Sequence, residues 1–110
     1  MTSLEEARAL ALALPETTET AHHGMMSFRI RGKIFATVPD VRHVRAMVDD
    51  EETRALAASE PGVYTEWYWG KRLACVQIEL ASVTSEALRE VLIDAWRRKA
   101  PKRLAKVHGL

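Results

Sequence analysis

Nine cationic side chains are the residues of this sequence best suited to chemistry with a partner. Arg29, Arg31 and Lys33 stand on or beside one predicted hairpin, and Lys71 and Arg72 at the tip of a second. Lys99, Lys102, Arg103 and Lys106 follow along the C-terminal tail. Phosphate backbones reward such a set, because each Lys or Arg contact releases condensed counterions. A hairpin can also enter a groove or lie along a backbone. The plainer alternative is a solvated surface whose basic residues answer the dipole of a helix C-terminus.

The remaining reactive residue types assemble less well. His22 and His23 are adjacent, so on an extended chain they point to opposite sides, and only Glu19 lies nearby as an acid. That is not metal-ligand spacing. A cap or a backbone bond at a strand entry is the expected role, and no metal is expected. Cys75 alternates with the inward Val76 and so faces outward, but no histidine is placed to make its thiolate. Asp49-Asp50-Glu51-Glu52 lacks the alternate-position oxygens and central glycine of an ion loop, and reads as a helix start. Tyr64, Trp67, Tyr68 and Trp69 could stack bases. The simpler expectation is that one face of this run fills the core and the other shields the sheet. With no nucleophile–base pair, phosphate loop or metal constellation, the expectation is a non-enzymatic domain without a cofactor.

The bulk numbers bound what can position these residues. The 110 residues suit one domain spanning 1–110, at 47% hydrophobic and 28% charged, a globular balance. The one cysteine cannot pair within the chain, which fits a reducing compartment. No apolar stretch approaches the ~20 residues of a membrane span. The N-terminus carries Glu5 and Glu6 on a periodic helix and not a leader, so the expected location is the cytoplasm. Net charge is only +1, but the charges are segregated. Ala95–Leu110 holds six basic residues and no acid, whereas Asp49–Glu66 holds six acids against Arg54. A bipolar surface follows if those stretches separate in space.

Periodicity supplies the elements. Ser3-x-x-Glu6 is a capping box opening a helix with Leu4, Ala7, Leu10, Ala11 and Leu14 on one stripe, stopped at Pro15. Glu16 to Gly24 reads as a polar loop. Met26, Phe28 and Ile30 alternate as a strand, Gly32 turns, and Lys33–Val38 returns. Val44, Ala46 and Val48 mark a third strand, and Asp49 caps a short helix to about Ser59. Pro61-Gly62 breaks it, and a second hairpin turns at Gly70-Lys71, with Ala74, Val76, Ile78 and Leu80 inward. Thr84 or Ser85 caps a long helix, and Pro101 starts a short one. The predicted class is α+β: a two-layer sandwich with an antiparallel sheet, α-β(3)-α-β(2)-α order, and helices packed on one face.

Two segments also carry a resemblance. His22-His23-Gly24-Met25-Met26-Ser27-Phe28-Arg29-Ile30-Arg31-Gly32-Lys33-Ile34-Phe35-Ala36 resembles the H-x-G-x-x-S-F-R-x-x-G-K-I-F-A segment of MmcQ/YjbR-like proteins. Ala95-Trp96-Arg97-Arg98-Lys99-Ala100-Pro101-Lys102-Arg103-Leu104 is similar to that family's A-W-R-x-x-A-P-K-R-L ending, and Leu14-Pro15-Glu16 fits its first helix. The resemblance implies a CyaY-like or double-wing fold in the same α-β(3)-α-β(2)-α order. It also implies a DNA-binding role, one that rests on the wing-like fold and basic surface, and no catalytic residues. Many relatives have an aromatic in the second hairpin where this chain has Leu73. The expected partner is DNA, held by the nine cations above. A protein partner at exposed aromatics or a sheet edge, or a small molecule between sheet and helices, are the alternatives.

Overall fold

Side-chain caps fix where the three longer helices begin. In the computed structural model, which describes residues 1–110 with the His22 side chain excepted, Ser3 and Glu6 make the reciprocal capping box at 3.1 and 3.2 Å. It opens α1 (Leu4–Leu12). Asp49 accepts from the Glu52 amide at 2.8 Å and opens α2 (Asp50–Ser59). Thr84 accepts from the Ala87 amide at 3.1 Å and opens α3 (Ser85–Lys99). Each satisfies an amide that the first helical turn would otherwise leave without a partner. A short α4 (Lys102–Val107) follows Pro101.

Six strands form one antiparallel sheet: β1 (Thr17–His22), β2 (Met25–Ile30), β3 (Lys33–Asp40), β4 (His43–Ala46), β5 (Tyr64–Trp69) and β6 (Arg72–Glu79). Their spatial order is β1-β2-β3-β4-β6-β5. The α+β class and the antiparallel sheet agree with the sequence, but the strand count does not. The stretch read as a loop after Pro15 is β1, paired with β2 from Thr17↔Ile30 to His22↔Met25. Its signal was hidden because it is a polar edge strand. Thr17, Thr18 and Thr20 favour extended backbone through β-branching, without any apolar alternation. On its helix side Glu19 takes an ion pair from Arg8 of α1 at 2.8 Å where a core strand would carry an aliphatic residue. The order is therefore α-β(4)-α-β(2)-α-α. The β2–β3 connection has positive φ at both Arg31 (50°) and Gly32 (82°), the pairing that lets a two-residue turn match the strands' twist.

One continuous core lies between the sheet and the helices. Phe28, Ala36, Ala46 and Val76 stand side by side across four strands on the helix face, with Val44 and Ile78 beside them. The α3 stripe of Leu88, Val91, Leu92, Ala95 and Trp96 packs on this row, joined by Ala7 and Ala11 of α1. Trp96 is wholly buried and donates its indole N–H to the Pro15 carbonyl at 3.0 Å, satisfying its polar atom at the foot of β1. The opposite sheet face is polar. Thr20, Ser27, Thr37, Arg45, Gln77 and Thr65 form its cross-strand row.

Candidate nucleic-acid interface

Strand direction decides where the cations go. Antiparallel pairing throughout brings the starts of β1, β3 and β6 and the ends of β2, β4 and β5 to one end of the sheet. α3 begins beyond the far end of β6 and runs back, so its last turn reaches that same end. Arg98 marks the arrival, donating to the Met47 and Val48 carbonyls just past β4 at 3.0 and 3.1 Å. Lys33 opens β3, Arg72 opens β6, Lys71 sits in the turn before it, and Lys99 closes α3. Four cations from three distant stretches of sequence are thereby collected.

Their mutual repulsion is felt at Lys99. Burial, and then the charges of Arg98, Lys33 and Arg72, push its ammonium below the ordinary lysine value. Lys33 and Arg72 are separated by one intervening strand, so they stand about 10 Å apart across the sheet. Among the described residues, none of Lys33, Lys71, Arg72, Lys99, Lys102, Arg103 or Lys106 has a carboxylate in ion-pair range.

The other five of the nine predicted residues are held differently. Arg31 is at the same end, but its guanidinium grips Glu16 through two bonds at 3.0 and 3.1 Å, a neutral unit. This contact holds the Glu16 carboxyl below the usual range and raises Arg31. Arg29 lies half-buried on the polar sheet face, its Nε donating to Ser27 Oγ at 3.3 Å. The α4 cations divide. Arg103 faces a small groove with Arg31, while Lys102 and Lys106 line a cleft of about 580 Å³ between α2, α3 and α4. That cleft also holds Arg97 and Arg98 against Asp49, Glu52 and Asp94, four cations facing three carboxylates. Burial raises Glu52 to about 7, helped by its hydrogen bond to Asp94 and by the charges of Asp94 and Asp49.

The YjbR family model matches residues 12–98 of the chain. The chain belongs to the YjbR family. Among solved structures it is similar to the Deinococcus radiodurans protein DR2400, which carries a DUF419 domain. The two superpose with a TM-score of 0.77 at 22% identity, covering 100% of this chain and 90% of that one. At that identity the likeness establishes the shared fold. No curated protein matches the chain.

In this YjbR-family chain the aromatic run does not fill the core as expected. Only Tyr64 does; Trp67 and Trp69 alternate onto the polar face, which no helix covers. Trp67 is half-buried under the Arg45 guanidinium, 3.6 Å from its centroid, and Trp69 stands 79% exposed at the hairpin tip. Leu73, the departure from the family's aromatic, is buried. Cys75 shares the polar face as its alternation implied, yet it is only 2% exposed, and burial pushes its thiol up to about 11. His43 is held through Nδ1 to Asp40 at 2.9 Å and through Nε2 to Glu79 at 2.8 Å, so both ring nitrogens are engaged by carboxylates. The metal reading of His22 falls on a side chain outside the described residues. His23 occupies the β1–β2 turn at φ 51° and is exposed.

Sequence reasoning missed Arg45, Arg97 and Arg98 as site-forming residues, and Glu16 as a neutralising one. Arg97 and Arg98 were visible in the basic run from Ala95. Nothing local linked Glu16 to Arg31, fifteen positions away.

Proposed function

We propose that this domain is a non-enzymatic nucleic-acid-binding module of the cytoplasm, engaging phosphates through the cationic end of its sheet. The convergence of Lys33, Arg72 and Lys99 carries the reading. Like charges are costly to gather, and holding them without carboxylate partners leaves an electrostatic preference for a polyanion. The near-neutral total charge does not count against it, because binding responds to the local potential and not the sum. A buried Cys75 whose thiol is pushed up to about 11 offers no activated nucleophile, which supports a binding role over an enzymatic one. The polar row across the uncovered sheet face weighs against a broad apolar protein-docking surface there.

Fluorescence anisotropy with labelled single-stranded and duplex DNA tests the reading. Affinity should fall linearly with log salt, with a slope of about 0.7 to 0.9 per phosphate contacted. Replacing Lys33, Arg72 and Lys99 with alanine together should flatten that slope by about two to three. Failure to bind DNA or RNA at low salt overturns the proposal.

A further inference from the structure

Trp69 is the largest side chain that the fold leaves in water, at 79% exposure. Leaving an indole in water forgoes the burial that usually stabilises so large an apolar side chain, so its place at the tip calls for a physical account. Packing supplies none. Its strand neighbours are each held: Trp67 beneath Arg45, and Tyr68 by a 2.7 Å bond from its hydroxyl to Glu66. Among the described residues Trp69 has no such contact. It is register-paired with Arg72 across the Gly70-Lys71 turn, on β5, an outermost strand with one neighbour. The exposed indole therefore stands on the polar face at the margin of the sheet, paired in register with Arg72, whose charge is felt at Lys99 together with that of Lys33.

We infer that Trp69 is a base-stacking contact and that the polymer recognised is single-stranded or locally unpaired nucleic acid. This rests on the reading of the cationic end as a phosphate site. An aromatic face beside backbone-binding cations is the combination that holds single strands without sequence preference. A duplex offers its phosphates to Lys33, Arg72 and Lys99 but covers the faces of its bases, so it cannot use the indole. A single strand satisfies both, with its backbone along the sheet end and a base turned onto Trp69.

The test compares an oligo-dT strand with a duplex of equal length, using the full chain at low salt. The wild type should bind the strand more tightly. Trp69→Ala should weaken strand binding by roughly 5- to 100-fold and leave duplex binding and thermal stability unchanged. Tryptophan emission gives a second readout, since Trp96 is buried and Trp67 is covered. The strand should quench wild-type emission, and Trp69→Phe should retain most of the affinity while losing the quench. Equal losses on strand and duplex, or a wild-type preference for duplex, overturn the stacking role and leave the phosphate site standing. Binding of neither polymer overturns both, and sedimentation with vesicles of anionic lipid in their place assigns the tip to a membrane surface.

Discussion

Arg98 of α3 donates from Nη1 to the carbonyl oxygen of Val48 at 3.1 Å, fastening the last turn of the helix to the segment that joins β4 to α2. The same nitrogen reaches Met47 at 3.0 Å. Both carbonyls lie beyond the last ladder bond of β4, so this side chain completes backbone satisfaction where the sheet stops. It also sets the position of Lys99, the next residue, against Lys33 and Arg72.

Arg98→Met should therefore act on stability. Charged hydrogen bonds of this kind contribute about 1.5–3 kcal/mol, and the thioether restores the packing of the stem but not the donors. A urea titration should show a lower midpoint with an unchanged slope. Lys102→Ala, an exposed neighbour without an ion pair, should stay within about 0.5 kcal/mol of wild type.

The grip of Glu16 on Arg31 predicts an unequal ranking among the cations. Lys33→Ala should weaken DNA binding more than Arg31→Ala, because Arg31 is already neutralised. Glu16→Gln should raise affinity by releasing that guanidinium. Anisotropy at fixed low salt measures all three. A dominant loss from Arg31→Ala would mean that the pair opens on binding.

Glu52 should give stability a measurable pH dependence. Its carboxyl is raised from 4.5 to about 7 in the fold, by burial first and then by Asp94 and Asp49. The folded state thus holds a proton that the unfolded chain has released. That stabilisation is fully present below about 4.5 and is lost as pH rises through about 7. Arg97, Arg98, Lys102 and Lys106 line the same cleft. Glu52→Gln should flatten this window and raise the urea midpoint above neutrality. An unchanged pH profile in the variant would locate the titration elsewhere.

Cys75 should resist thiol reagents in the native state. Burial both blocks access and pushes the thiol up to about 11, far from thiolate at neutral pH. Reaction with a disulfide dye should be slow for the folded chain and complete in denaturant. Fast native reaction would contradict the closed environment on that sheet face.

Most of the fold was legible because burial imposes periods that survive in sequence. Phe28 and Ile30 alternate because one sheet face is packed, and Leu88, Val91, Leu92, Ala95 and Trp96 recur because one side of α3 is. The caps at Ser3, Asp49 and Thr84 were readable because each bonds an amide three residues on. β1 was not readable, since an edge strand that meets α1 through Arg8 and Glu19 has no apolar period to show. The aromatic run misled for a related reason. Alternation separates two faces but does not say which one the helices cover.

The sequence by itself determined the class of fold, the helix starts and the supply of cations. Those are local properties, set by side-chain type and by spacing within a few residues. Only the tertiary structure decided which cations act together. It joined Lys33, Arg72 and Lys99 at one end, cancelled Arg31 with Glu16, and left Trp69 in water beside them. The reason is that charge interactions depend on distance in space, and that distance follows from strand direction and order, which no single segment contains.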